Sequence, residues 1–163
     1  MSTQLRHTDA MASQLPHCSV ARTLTVVGER WTMLVLREAF YGVRRFDDFQ
    51  RHLGVARNVL TARLATLVEH DLLVRTPYHE PGQRRRDEYR LTPAGKELLP
   101  ALIALMQWGD AHLAGPAGPP VTVAHRDCGA LVHAELVCDA GHGALTARDT
   151  QPEPGPGMLA TGT

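Results

Sequence analysis

Between Arg45 and Leu91 the spacing of apolar residues changes twice, and the order of those changes leaves few folds open. Phe46, Phe49 and Leu53 fall at intervals of three and four, one face of a short helix, with Asp47 and Asp48 in a first turn where the helix dipole favours acids. Gly54 ends that helix. A second helix from about Arg57 places Val59, Leu60, Leu64, Leu67 and Val68 on a buried stripe and leaves Arg57, Asn58, Thr61, Ala62 and Ala65 on the opposite side. The period then shortens. Leu72 to Tyr78 reads as a strand, Glu80, Pro81, Gly82 and Gln83 as a turn, and Glu88 to Leu91 as a return strand with Tyr89 and Leu91 on one side.

A helix with that polar face suits the major groove of a duplex. Arg and Asn can each make paired hydrogen bonds to a base edge, Thr can bond a base or touch a thymine methyl, and alanines allow close approach. Asn58 and Arg57 are the foremost candidates. The competing reading is an ordinary amphipathic helix with a solvated face, and the hairpin weighs against it. Arg84, Arg85 and Arg86 stand consecutively at the tip, where they repel one another unless a polyanion is near, although a solvated charge run is the plainer account. A helix in the groove and a basic hairpin against the neighbouring backbone are two halves of one docking geometry, that of a winged helix-turn-helix. Arg44 and Arg45, ahead of the short helix, stand where the chain would cross the phosphates, or are solvated loop residues.

The chain balances 17 basic against 17 acidic residues, so it has no global attraction for nucleic acid. From Arg30 to Arg90, however, 12 arginines face 8 acids, whereas from Asp110 onward 2 basic residues face 6 acids. Basicity is confined to the segment with the helices and hairpin. With 163 residues, 44% of them hydrophobic and only 5% aromatic, one core resting on Leu, Val, Ala and Met can form, with a small appendage. There is no run of about 18 apolar residues, and MSTQLRHTDAMASQLPH lacks the basic, apolar, small order of a signal peptide. A cytoplasmic location without membrane contact is expected. Three cysteines in a reducing compartment argue against a disulfide framework and leave metal binding, redox sensing or burial open.

Residues 1–16 read as a flexible N-terminus. Cys18 to Val27 is a helix candidate with Val20, Leu24 and Val27 at helical spacing, Gly28 breaks it, and RWTMLVLREAF restarts a helix with Trp31, Leu34, Val35 and Ala39 in the core. Thr92 caps a long helix with Pro93 at its first position, where a missing amide costs nothing. That helix is expected to run to about His112 with a bend at Pro100 and an apolar band of Leu98, Leu102, Leu105, Met106 and Leu113. It offers more apolar surface than a small winged core covers. A second copy would bury it, with Cys18 to Val27 contributing, and the two-fold pair would read a palindromic site; alternatively the helix folds back on its own domain.

The strings CSVARTLTVVGERWTMLVLRE, GVRRFDDFQ, ARNVLTARLATLVEHDLLVR and YRLTPAGKELLPALIALMQWGD resemble the HxlR family of bacterial winged helix-turn-helix transcription regulators, in order and spacing, from about Cys18 to His112. The resemblance implies a homodimer on double-stranded DNA, repression or activation of neighbouring genes, and no catalysis. It places Arg44, Arg45, Arg57, Asn58, Thr61, Arg84, Arg85 and Arg86 on the DNA side. It also places Cys18 where several family members carry a cysteine that senses oxidants or electrophiles. At a helix start beside His17, a Cys18 thiolate would be favoured by the dipole and a nearby imidazolium; the alternative is a small apolar residue packed at the dimer seam.

After the breaker-rich stretch GPAGPP, the runs VTVAH, ALVHAELVC and ALTAR read as strands. The extension resembles a zinc ribbon found in some relatives, with His125-x-x-Cys128 intact and Gly141 standing where the last cysteine of the second knuckle would be, next to His142. His125, Cys128, Cys138 and His142 are thus candidate zinc ligands if the second knuckle tolerates one extra residue. The other reading is a metal-free three-stranded scaffold filled by Leu131, Val132, Leu136 and Val137, with His133 on the surface or held by a backbone partner.

The expected fold class is α+β: a mainly helical winged helix-turn-helix dimer with a small C-terminal β-rich, zinc-ribbon-like extension. The expected organisation is 1–16 flexible N-terminus, 17–113 DNA-binding and dimerisation domain, 114–120 Gly/Pro linker, 121–155 β-rich extension and 156–163 flexible tail. No oxyanion-loop motif, glycine-rich phosphate cradle or paired carboxylates suggest an enzyme, and adjacent pairs such as His17–Cys18 seldom meet in nucleophile–base geometry. A winged-helix protein–protein adaptor is the alternative function, although an adaptor has no need of the arginine tip. Open signals are an oxidant at Cys18, a metal on the tail, or a small molecule.

Overall fold

The computed structural model describes residues 18–78 and 86–159, arranged as two compact units: residues up to Gly95 together with those from Glu153, and Lys96 to Pro152.

In the first unit α1 (Ser19–Val27) and α2 (Arg30–Phe40) are separated at Gly28 and Glu29. On α2 the buried face is Thr32, Val35, Leu36 and Glu38, while Trp31, Leu34 and Ala39, expected in the core, are only half-buried. The stripe is rotated because α4 (Arg57–Glu69) packs on α2 and sets which side is covered. Leu60, Leu64 and Leu67 of α4 are buried as expected; Val59 and Val68 flank them half-exposed. Between α2 and α4 runs α3 (Phe46–Leu53), with Asp47 and Asp48 in its first turn and Phe49 fully buried.

Gly54 caps α3 at φ 61°, a left-handed conformation that a side chain resists, and its N–H donates to the Gln50 carbonyl at 2.9 Å. Only Val55 and Ala56 separate it from α4, so the two helices form a tight helix–turn–helix.

Strands β1 (Leu73–Tyr78) and β2 (Arg86–Leu91) pair antiparallel, from Leu73 opposite Leu91 to Tyr78 opposite Arg86. The segment before α3 adds an edge: Arg45 bridges Glu88, and the Tyr89 N–H donates to the Arg44 carbonyl at 2.8 Å. Phe49 meets Tyr89 edge-on at 6.5 Å, which locks α3 against the wing. The expected turn at Glu80 to Gln83 lies outside the described residues.

Thr92 closes the unit. Its hydroxyl donates to the Asp71 carbonyl at 2.5 Å and accepts the Gly95 N–H at 2.9 Å, capping the single turn α5 (Pro93–Lys96). Gly95 is buried where a Cβ would run into the Leu72 carbonyl oxygen and stand 3.2 Å from Leu91 Cδ2.

The long bent helix expected from Thr92 to His112 is instead two helices, α5 and α6 (Leu99–His112). Proline at 100 has no amide for the Lys96 carbonyl, and its ring would clash there, so the helix stops and restarts with Pro100 in the first turn of α6. The expected band also differs. Ile103 is the buried residue, Leu98, Leu102 and Met106 are half-buried, and Leu105 and Leu113 are exposed.

In the second unit the β-rich extension does not form. Residues 121–155 hold no strand, only the bridge between Ala124 and Leu131 and a few flanking bonds, such as His125 N–H to Ala130 O and Leu145 N–H to Leu136 O. The arms are too short for a ladder, and among the described residues no second layer covers them: Leu131, Leu136 and Val137 are 56%, 60% and 61% exposed. They fill no scaffold. His133 is exposed and held by a side chain rather than by backbone: Gln107 Nε2 on α6 lies 2.8 Å from its Nδ1, and Gln107 Oε1 accepts the Ala134 N–H at 2.9 Å. In the first unit Pro156–Leu159 forms one helical turn, α7.

Candidate nucleic-acid interface

The outer face of α4 carries Asn58, Thr61, Ala62 and Ala65, all exposed and turned away from the buried leucines, while Arg57, expected on that face, is exposed at the first residue of the helix, on the same side as Leu60 and Leu64. Its N-cap residue Ala56 makes no side-chain cap, and no acid stands in its first turn. The free amides and the positive end of the dipole are therefore left for an anion. The Thr61 hydroxyl donates back to the Arg57 carbonyl at 2.9 Å, which spends its proton and leaves its methyl and lone pairs for contact. The Arg57 guanidinium lies over the Phe46 ring, 4.6 Å from the centroid, so its reach is set by α3.

The wing adds cations. Arg45 lies over the Tyr78 ring at 4.7 Å, and Arg44 is exposed beside it. Arg44, Arg45, Arg51 and His52 line an open groove of about 480 Å³, with Asp48 and Glu88 on its wall and Asp48 paired to Arg51. Arg84 and Arg85 lie outside the described residues. Arg86 is the first residue of β2, and the mutual repulsion expected of the tip is answered at that residue by Asp47, 3.3 Å away.

Arg75 and Tyr89 were absent from the sequence-based candidates. With Thr61, Leu64, Ala65, Val68 and Glu69 they line a cleft of about 470 Å³ between α4 and the wing. Arg75 pairs with Asp87 at 3.3 Å. Burial, aided by the Asp87 charge and opposed by Arg75, raises the Tyr89 phenol above its ordinary value, so it remains a neutral hydroxyl donor at neutral pH. The alternation that placed Tyr89 on one side of its strand was visible in the sequence; its position beside α4 was not.

Beneath this surface Glu38 ties α2 to α3. Its buried carboxylate accepts from Arg37 at 2.6 Å and from His52 Nδ1 at 2.8 Å. Burial alone would raise its pKa, but the hydrogen bonds and charges of His52 and Arg37 outweigh it and hold the carboxyl below the usual glutamate value.

The remaining candidates lie elsewhere. Cys18 is exposed at the N-cap of α1, and His17 is outside the described residues. In the second unit the four expected zinc ligands form two pairs: His125 Nδ1 to Cys128 Sγ and Cys138 Sγ to His142 Nδ1, each at 3.3 Å. Among the described residues no three His, Cys, Asp or Glu side chains gather into a group able to hold a metal ion. As placed, the donors do not make a tetrahedral site.

The order α3, tight turn, α4 and wing matches one family model, the HxlR-like helix-turn-helix, over residues 26–116. The chain belongs to that family. HxlR-like relatives include the HTH-type transcriptional regulator Rv3095 of Mycobacterium tuberculosis, 50% identical over 142 residues, covering 87% of this chain and 89% of the relative. The Synechocystis HTH-type transcriptional regulator sll1512 is 37% identical over 97 residues, covering 59% and 70%. Among solved structures, the transcription-factor candidate PA1607 is similar at 40% identity and a TM-score of 0.75, covering 87% of this chain and 98% of its own. The reduced form of the redox regulator HypR is similar at 28% identity and a TM-score of 0.53, covering 58% and 92%. HxlR-like relatives are transcriptional regulators, a class that is typically not enzymatic. Among the described residues no helix is long and apolar enough to cross a membrane.

Proposed function

We propose that this protein is a cytoplasmic, DNA-binding transcriptional regulator that acts as a homodimer on a palindromic operator. The α4 helix would enter the major groove while the wing, with Arg84, Arg85 and Arg86, lies along the adjacent backbone. The observation that carries this reading is the division of α4: Leu60, Leu64 and Leu67 buried, Arg57, Asn58, Thr61, Ala62 and Ala65 exposed, beside a wing whose strand bears Arg86. An adaptor surface would not require cations on both elements. Asn58→Ala should relax selection at one base position at a cost of about 1–3 kcal/mol there. Replacing Arg84, Arg85 and Arg86 together should weaken binding to every duplex and lower the salt slope by about one unit per lost phosphate contact. Binding titrations on operator and scrambled duplexes separate these effects, and identical profiles for the two variants would overturn the docking.

The signal we infer is an oxidant or electrophile at Cys18. Its support is an exposed thiol at the start of α1 and the likeness to HypR, itself a redox regulator. A mild oxidant or quinone should change operator affinity in the wild type and not in Cys18→Ser; an equal response in both excludes this thiol.

A further inference from the structure

The surface read as DNA-facing carries a carboxylate that the docking does not use. Asp47 stands in the first turn of α3, and its oxygens lie 3.3 Å from the Arg86 guanidinium and 3.9 Å from that of Arg57. Arg57 is the first residue of α4 and Arg86 the first of β2, so one acid from a third element spans both cationic elements of the interface. All three side chains are more than half exposed. Such pairs contribute little to stability, because water screens them and ordering long side chains costs entropy. They also break easily.

What the arrangement does control is where two guanidiniums rest and how strongly they attract any passing polyanion. Two cations facing one duplex repel each other, and an anion between them relieves that repulsion, which is the part a backbone phosphate would play in a complex. The same carboxylate repels the phosphates themselves. The wing neutralises Arg75 with Asp87 and Arg90 with Glu88, but each of those pairs lies within the two strands. Asp47 alone, among the described residues, reaches guanidiniums on both α4 and the wing.

We propose that Asp47 is a phosphate surrogate that holds Arg57 and Arg86 in the free protein, is displaced from them by DNA, and so sets how tightly this surface binds any duplex. Displacement costs the same on every duplex. Asp47 therefore lowers the affinity for a matched site and for a random sequence by the same factor, and sets the strength of binding rather than its choice of sequence. The inference rests on the DNA-binding reading above.

The test is the Asp47→Asn variant of the full chain, titrated over a salt series against a random-sequence duplex and a duplex selected by the wild type from a random pool. Asp47→Asn should tighten binding to the random duplex about three- to tenfold, the order expected for removing a unit charge a few ångströms from phosphate in water. The selected duplex should gain by the same factor, and the plot of log affinity against log salt should steepen by about one unit. In an Arg86→Gln background the gain should shrink. Unchanged affinity for both duplexes, a gain confined to one of them, or a gain that persists undiminished with Arg86→Gln would overturn the proposal. A folding defect would weaken binding, opposite in sign to the expected result. The two readings fail separately: if Arg57→Gln and Arg86→Gln weaken binding while Asp47→Asn does nothing, only the surrogate role falls, whereas absence of salt-dependent binding by the wild type removes the DNA-binding reading as well.

Discussion

At the scale of single residues, two buried polar groups in α2 behave oppositely. The Thr32 hydroxyl is fully buried and has no hydrogen-bond partner among the described residues. Valine has nearly the same shape without the unpaired group, so Thr32→Val should raise stability by about 1 kcal/mol in urea unfolding; a loss of that size would mean that the hydroxyl is satisfied in solution. Glu38 is fully engaged with Arg37 and His52. Its folded pKa lies below its ordinary value of 4.5, so the stabilisation from ionised Glu38 is complete above that pH and disappears as pH falls through the folded value. Glu38→Gln should cost about 1–3 kcal/mol at neutral pH, and the gap from the wild type should close as unfolding is measured at successively lower pH below 4.5. A gap independent of pH would assign the loss to packing. Asp47 was legible as a helix-start acid because that role is local. Its reach to Arg57 and Arg86, the latter 39 positions away, depends on how the wing closes and no spacing rule shows it.

At the scale of elements, the joints depend on small contacts. Gly95 touches the Leu72 carbonyl where α5 meets the base of the wing, so Gly95→Ala should destabilise the first unit by about 1–3 kcal/mol in chemical unfolding through overpacking. A neutral result would show that α5 can shift. The starts of α3 and α4 and the strand pairing were legible, since turn glycine, first-turn acids and apolar period act over a few residues. The restart at Pro100 was half legible: proline forbids a helix interior, but whether a chain bends or stops depends on what surrounds it. The tail misled because alternating apolar residues signal a strand only when a neighbouring layer exists to cover one side, and here Leu131, Leu136 and Val137 lack one.

At the scale of the whole molecule, α6 leaves Leu105 and Trp108 60% and 58% exposed, an arrangement that suits association of two copies. The double variant Leu105→Lys with Trp108→Lys should run as a monomer in light scattering and lose most of its operator affinity, because one half-site then binds without its neighbour. A variant that stays dimeric would move the seam to another surface. For the assembled complex, the bare first turn of α4 has a further consequence. The N–H groups of Arg57, Asn58 and Val59 precede the first intrahelical bond, from Leu60 to Ala56, so in the lone protein their hydrogens should swap rapidly for deuterium. A duplex seated against that turn should slow the swap at these three positions before it alters the leucine side of the same helix, making them a built-in clock for docking.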